Sequence, residues 1–408
     1  PSREGPPLFG LVIGTQGLQP DEQILAKPGH ARYTAALANW LNRRTGRLVA
    51  WAKRDPIRVD QPVPKNAEAA LATDNDLQGA LSRYGRHTYL LCRLDAEITP
   101  GIRSEAVTAL LGLFFDEKGI QALAGPQREL ARIRSYWLGE ALPEVTEAEV
   151  TALLADRRFV ILEGPPGTGK TRLARNLLNG PYQANGTSIQ FHPSLTYEDF
   201  VGGLAPVAAT GSEQLHFRPT PGHLLRACQR ALDASERPFL LHIDEINRAD
   251  LAKTLGEAIF LFEPGEPDRV VELPHDFGAP FHRELRLPPN LHVLGTMNSA
   301  DRSIAILDLA IRRRFAFQRL LPQCSAIDPD YRRCREAFER LLDLFLNYAS
   351  DDIFDLMPGH GYFLYPDETA RQNLGTGVAP LLRDYLRGGL VAGFEDEIQA
   401  YLDWLETI

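Results

Sequence analysis

Between residues 146 and 317 short apolar runs alternate with amphipathic segments, the rhythm of a parallel sheet with helices on both faces. The strand candidates are 159–162, 188–191, 239–243 and 291–295. Each is short, apolar and almost uncharged, as a strand covered on both faces should be. A helix is expected to open at Thr146, with Thr146 as N-cap and Glu149 three residues on, the spacing of a capping box. Upstream, helical periodicity over 30–44, 67–84, 103–117 and 121–138 is mixed with two strand-like runs at 47–53 and 87–94. After Pro322 the pattern turns mostly helical, with main segments at 331–348, 378–386 and 395–405. The pattern predicts an α/β protein in three parts: an α/β region at 1–145, a sheet-bearing core at 146–320 and a small helical domain at 321–408.

Composition changes this picture little. At 408 residues, 44% hydrophobic and 24% charged, the chain reads as soluble and globular. No run approaches the roughly 18 consecutive apolar residues of a membrane span. Its first residues have no secretion-signal layout and no initiator Met, which points to a trimmed or excised cytoplasmic chain. Cys92, Cys228, Cys324 and Cys334 are too scattered for a metal knuckle and suit a reducing compartment. A net charge of −9 argues against indiscriminate coating of nucleic acid, though a basic track remains compatible with it.

The chemistry concentrates in the middle region. Gly164, Pro165, Pro166, Gly167, Thr168, Gly169, Lys170 and Thr171 spell G-x-x-x-x-G-K-T between a predicted strand and a helix at 172–178. Such a loop turns successive backbone N–H groups toward phosphate oxygens, and the helix N-terminus adds its dipole. Lys170 is expected to reach the β- and γ-phosphates and Thr171 to ligate Mg²⁺, with Arg172 beginning the helix beside the nucleotide. About seventy residues on, an apolar strand ends in Asp244 and Glu245: the first would hold the Mg²⁺ shell, the second polarise an attacking water. A further apolar strand ends in Asn298, placed to orient that water or the γ-phosphate. Arg312, Arg313 and Arg314 close a helix predicted to begin near Ser303. They either satisfy the helix dipole or supply an arginine finger to a neighbouring subunit. The bland readings are a Gly/Pro-rich turn, an acidic loop start and a turn-forming Asn. They lose ground because strand, loop and acids recur in the order a phosphate site needs.

These residues resemble the McrB-type branch of AAA+ proteins, the motor subunits of modification-dependent restriction systems. The resemblance is carried by Phe191-His-Pro-Ser-Leu-Thr-Tyr-Glu-Asp-Phe200, by Asp244-Glu-Ile-Asn-Arg-Ala249, by Met297-Asn-Ser-Ala-Asp-Arg-Ser303 with Leu307-Asp-Leu-Ala-Ile-Arg-Arg-Arg-Phe315, and by Gly359-His-Gly-Tyr-Phe363. It implies an AAA+ P-loop NTPase core with a C-terminal helical lid, assembled as a homo-oligomeric ring, a hexamer in the family's manner. It implies Mg²⁺-dependent hydrolysis of GTP or ATP, GTP being typical of the family, and a McrC-like nuclease partner acting on DNA, with no membrane involved. By the same resemblance Asn298, Asp301 and Arg302 would sit near nucleotide and partner, and one of Arg312–Arg314 would act in trans. His360 would stand where related proteins often place a sensor Arg; a structural histidine is the alternative. Residues 1–145 do not match the family's usual DNA-reading domain. The MoxR-like chaperone branch shares the D-E-I-N-R-A segment, so a remodeller of protein complexes is the rival reading. A binding module carried on an assembly core is a second.

Two weaker signals remain. Arg43, Arg44, Arg47, Lys53, Arg54 and Arg58 are interleaved with Trp40 and Trp51, a pattern that either stacks bases or forms a core face with solvated charges. Asp116-Glu-Lys118 fits the tail of a nuclease motif without an upstream metal-binding acid, so no nuclease is expected in this chain.

Overall fold

In the computed structural model, described for residues 8–12, 29–52, 88–93, 98–117, 139, 141–208, 215–263, 265–301 and 309–408, the chain forms two compact units. One comprises Pro1–Pro143, Ile327–Met357 and Phe363–Ile408, the other Glu144–Ala326 with Pro358–Tyr362. The first unit begins with β1 (Leu8–Val12), α1 (Gly29–Thr45), β2 (Ala50–Ala52), β3 (Thr88–Arg93) and α2 (Pro100–Glu117). Strand β3 is central and antiparallel to both neighbours. Leu37, Trp40 and Leu41 form the buried stripe of α1, the i, i+3, i+4 spacing of an amphipathic helix. Asn42 closes the turn into β2: its Oδ1 accepts from Val49 N at 2.7 Å and Ala50 N at 2.9 Å, while Nδ2 donates to Ala50 O at 2.9 Å. The expected helices at 67–84 and 121–138 lie outside the described residues.

The second unit holds the parallel sheet. It runs α3 (Glu147–Arg157), β4 (Phe159–Gly164), α4 (Lys170–Asn179), β5 (Gly186–Gln190), the short α5 (Tyr197–Phe200), β6 (Gly202–Ala208), β7 (Leu215–Pro221), α6 (His223–Asp233), β8 (Phe239–Asp244), α7 (Leu251–Leu255), β9 (Val271–Glu272), β10 (Glu284–Leu285), β11 (Leu291–Asn298), α8 (Leu309–Arg314) and β12 (Ala316–Arg319). The five-stranded sheet has the order β12-β4-β11-β8-β5, with each described pairing parallel. The period-two alternation of the strands sorts their side chains into two cores. Phe159, Ile161, Phe239, Leu241, Ile243, Leu291 and Val293 pack on one face with α6 and α7 residues. Val160, Leu162, Leu240 and Leu294 pack on the other with Val150 and Leu154 of α3 and Ala174 and Leu177 of α4. Burying each such side chain contributes about 1.5–3 kcal/mol, which is why strands of so little polarity lie in the centre.

Thr146 caps α3 as expected: its Oγ1 accepts from Glu149 N at 3.2 Å and its N–H donates to Glu149 Oε2 at 2.8 Å. The edge strand β5 departs from expectation. It is half-exposed rather than covered on both faces, and it ends at Gln190, with Phe191 N continuing the ladder to Asp244 O at 2.9 Å. Pairs β6–β7 and β9–β10, strand β12 and helix α6 were not foreseen. Gly202, Gly203 and Pro206 depress the strand signal of β6, and β12 is a half-buried edge with Gln318 and Arg319 in it.

The C-terminal helices return to the first unit: α9 (Arg332–Tyr348), α10 (Asp351–Phe354), α11 (Asp367–Thr376), α12 (Val378–Arg387) and α13 (Glu395–Leu405). Helix α9 is the spine, burying Cys334, Ala337, Phe338, Leu341, Leu342, Phe345 and Leu346 against α11, α13 and α1. Arg32 of α1 donates to Phe345 O and Leu346 O at 3.4 Å, to Ala349 O at 3.3 Å and to Asp351 at 2.9 Å, and lies over the Phe354 ring. A cation thus satisfies the orphan carbonyls at the end of α9. No helix among the described residues is long and apolar enough to cross a membrane.

Candidate functional site

Parallel register brings the site together. Asn298 of β11 pairs with Gly164 of β4, and Gly295 of the same strand pairs with Ile243 of β8, so the carboxyl ends of the three central strands emerge side by side. Ligands of open α/β sheets bind at this edge. The loop leaving β4 turns on Gly167 and Gly169, both left-handed at φ 81° and 84°, where an L side chain is strained. Thr168 Oγ1 donates to Pro165 O at 2.9 Å, and the buried Lys170 Nζ donates to Gly164 O at 2.9 Å and Pro165 O at 2.8 Å. The lysine is therefore held within the loop. Gly164, Pro165, Pro166, Gly167, Thr168, Gly169, Lys170 and Thr171 are one wall of the site, and Arg172 stands exposed in the first turn of α4.

Thr171 Oγ1 donates to Asp244 Oδ1 at 3.0 Å. Two oxygens at neighbouring positions of a Mg²⁺ octahedron are separated by about 3 Å, given metal–oxygen bonds near 2.1 Å. A hydroxyl and a carboxylate at this separation fit a hard, oxygen-ligated divalent cation. Sequence reasoning missed the next residue in: Thr296 on β11, 1% exposed, donates its hydroxyl to the same Asp244 Oδ1. Only the register of β11 against β8 reveals that contact.

Glu245 follows in a left-handed conformation, φ 53°, rare for a residue with a Cβ and characteristic of strained functional positions. Asn298 Nδ2 donates to its Oε1 at 3.0 Å. Its Oε2 is buried, accepts no hydrogen bond, and lies 3.3 Å from Arg248 Nε. Arg248 Nη2 in turn lies 4.0 Å from Asp301. Arg248, quoted in the sequence only as part of a motif, links the two acids. Arg302 lies outside the described residues, as do 303–308, where the helix ending in Arg314 was expected to begin.

The three arginines part company. Arg314 is 5% exposed, its Nε 3.4 Å from Glu263 and its Nη1 donating to Ala310 O at 3.0 Å. Arg312 is exposed, with its guanidinium 5.5 Å from the Phe317 ring centre. Arg313 is 63% exposed and reaches Glu263 at 3.4 Å. His360, far along the chain, is brought to the phosphate loop. Its Nδ1 accepts from Gln323 N at 3.3 Å, and burial first, then the nearby Arg172 charge, push its pKa down to about 4. Of the weaker signals, Trp40 is buried in the core with Arg44 over it at 5.1 Å, and Arg44 pairs with Glu105; that is the core-face reading. Lys53, Arg54 and Arg58 lie outside the described residues. Asp116 and Glu117 end α2.

The sheet order, the phosphate loop, the acid pair at the end of β8 and the amide at the end of β11 define an AAA+ P-loop protein. The AAA domain family (dynein-related subfamily) matches residues 159–315. The chain is 32% identical over 289 residues to the EcoKMcrB subunit of the type IV methyl-directed restriction enzyme of Escherichia coli (strain K12), covering 63% of this chain and 61% of that protein. It is 30% identical over 192 residues to component YdiS of the type II restriction enzyme BsuMI of Bacillus subtilis (strain 168), covering 39% and 56%. The chain is similar to McrB-type AAA+ proteins, and spans about three fifths of the length of these curated relatives. Among solved structures, NtrX from Brucella abortus aligns over 69% of this chain and 76% of that one at 12% identity and a TM-score of 0.27, a likeness too slight to bear on function.

Proposed function

We propose that this chain is the motor and switch of a restriction complex: a ring-forming NTPase, hexameric by family resemblance, that hydrolyses GTP or ATP with Mg²⁺ and drives a separate McrC-like nuclease against DNA. The observation that carries the reading is the meeting of Lys170, Thr171, Asp244, Glu245 and Asn298 at the carboxyl edge of three adjacent strands. Loop N–H groups and Lys170 would bind and orient the polyphosphate. Thr171 and Asp244 would hold Mg²⁺, which when bound neutralises developing phosphate charge. Glu245, one oxygen held by Asn298 and the other beside Arg248 without a hydrogen bond of its own, would draw a proton from the attacking water and align it. Residues 321–408 act as the lid and residues 1–145 as the region that meets target or partner.

The exposed Arg312 and Arg313 are the candidates for action in trans, where such a charge contributes about 10³–10⁵ in rate. The buried Arg314 is better suited to holding Glu263. Asp301 and Arg302 would lie where the partner is read, with Arg248 coupling Asp301 to the catalytic carboxylate.

Steady-state hydrolysis of GTP and ATP by the purified chain, with and without the product of the adjacent gene, tests this. Glu245→Gln is expected to abolish turnover while keeping nucleotide binding, and Lys170→Ala to weaken binding itself. Undiminished hydrolysis in both variants would sink the site assignment. Turnover of ATP alone, indifferent to any nuclease partner, would move the function to a remodelling chaperone.

A further inference from the structure

The segment Pro358–Tyr362 lies on the phosphate loop through its backbone. Gly359 N donates to Pro166 O and Gly361 N to Gly167 O, each at 2.8 Å. The approach leaves no room for side chains at those two positions. A Cβ on Gly359 would lie 2.2 Å from the Gly167 carbonyl carbon, and one on Gly361 would lie 2.9 Å from the Gly167 oxygen. Between the two glycines stands His360. Its depressed basicity leaves the imidazole neutral near pH 7. With Nδ1 accepting from Gln323, its single proton resides on Nε2. That nitrogen is beside the loop: a Cβ at Gly169 would be 3.5 Å from it.

We propose that His360 is a nucleotide-binding residue that donates its Nε2–H to the α/β-phosphate region of a bound nucleoside di- or triphosphate. In a loop of this kind the backbone cradles the α- and β-phosphates, while the lysine reaches onward to the β- and γ-phosphates. Gly169 is the N-cap of α4 and part of that cradle, and it is the residue that His360 Nε2 lies beside. A donor there meets phosphates that substrate and product share, so it contributes to holding both and does not read the γ-phosphate. Two backbone hydrogen bonds fix the segment that carries it, so the imidazole is presented with little loss of conformational freedom. The proposal rests on residues 164–171 being the nucleotide site.

The test is isothermal titration of GDP, GTPγS, ADP and ATPγS, with Mg²⁺, into the parent chain, His360→Ala, His360→Gln and Lys170→Ala, each checked by thermal melting. For the purine that binds, His360→Ala should weaken diphosphate and triphosphate by the same factor, about tenfold, as for a hydrogen bond to a charged group. His360→Gln, which retains an N–H donor at similar reach, should recover most of that loss. Unchanged affinity in His360→Ala, a loss confined to the triphosphate, or equal losses in Ala and Gln with a lowered melting temperature would each overturn the proposal. Parent-like binding in Lys170→Ala would instead refute the phosphate-loop reading beneath it.

Discussion

Thr296 offers the sharpest test of how the proposed metal-binding edge is built. Its hydroxyl is buried and donates to Asp244 Oδ1, the same oxygen that accepts from Thr171 at 3.0 Å. Thr296→Val keeps the shape and removes one donor. A hydrogen bond to a charged group is worth about 1.5–3 kcal/mol. Asp244 is half-buried and retains Thr171, so the fold should lose near the lower end of that range, about 1.5 kcal/mol. The larger effect belongs to the site. A carboxylate relieved of its inner tether can rotate away from the position it must hold, and removing such support typically lowers metal affinity or activity by about 10–100-fold. Turnover titrated with Mg²⁺ is the assay, with urea unfolding alongside. Thr296→Val should raise the half-saturating Mg²⁺ concentration by at least about tenfold, and Thr296→Ser should stay near the parent. A valine variant with the parent's Mg²⁺ dependence, or a serine variant as impaired as valine, would refute the reasoning.

Four further outcomes follow from contacts in the structure. Gly359→Ala drives a Cβ into the backbone of Gly167; nucleotide affinity by titration should fall by about tenfold or more as the two 2.8 Å backbone bonds give way. Arg314→Ala removes a buried guanidinium from Glu263, which keeps Arg269 at 3.5 Å and Arg313 at 3.4 Å; denaturant unfolding should show a loss of about 2 kcal/mol, short of the 3–5 expected for a fully stranded charge. Arg312→Ala should leave that stability intact while suppressing turnover in the assembled state. His292, held by burial and then by Arg158 at a pKa of about 4 and hydrogen-bonded through Nδ1 to Tyr182 Oη at 2.6 Å, binds its proton less readily folded than unfolded. Its contribution is complete above pH 6.5 and declines as pH falls below that, by about 2 kcal/mol at pH 5. Urea unfolding of the parent and of His292→Gln over this window should differ in slope; parallel curves would contradict the assignment.

What could be read from sequence was chemistry fixed by local order. The phosphate loop declares itself because its glycines, lysine and threonine are contiguous, and Asp244–Glu245 because an apolar strand precedes it. The spine helix α9 showed its buried face at every third or fourth position. What could not be read depends on register or on distant contact. Thr296 is a plain strand residue until β11 is set against β8. Arg248 matters only once the turn after β8 swings it back on Glu245. His360 lies 191 positions after Gly169 in the sequence, and nothing local announces that Gly359 and Gly361 are small because another backbone occupies their side-chain space. The link between α1 and α9 through Arg32 is of the same kind: one arginine among many until the carbonyls it satisfies are known.

Glu245 shows how the two kinds of information combine. Its left-handed φ opposes local preference and costs of order 1–3 kcal/mol; Gly or Asn there would relax the turn. The conformation persists because Asn298 and Arg248, from different elements, each take hold of one carboxylate oxygen. Asp244 is held separately, by Thr171 and Thr296. Two adjacent acids are thereby separated in place: extended backbone leaves Asp244 beside Thr171 and Thr296, while the reversal at Glu245 turns its carboxylate toward the end of β11. A relaxed turn would lose that separation, so on the proposed reading the strain at Glu245 is part of what would make the pair a catalytic arrangement rather than a duplicated charge.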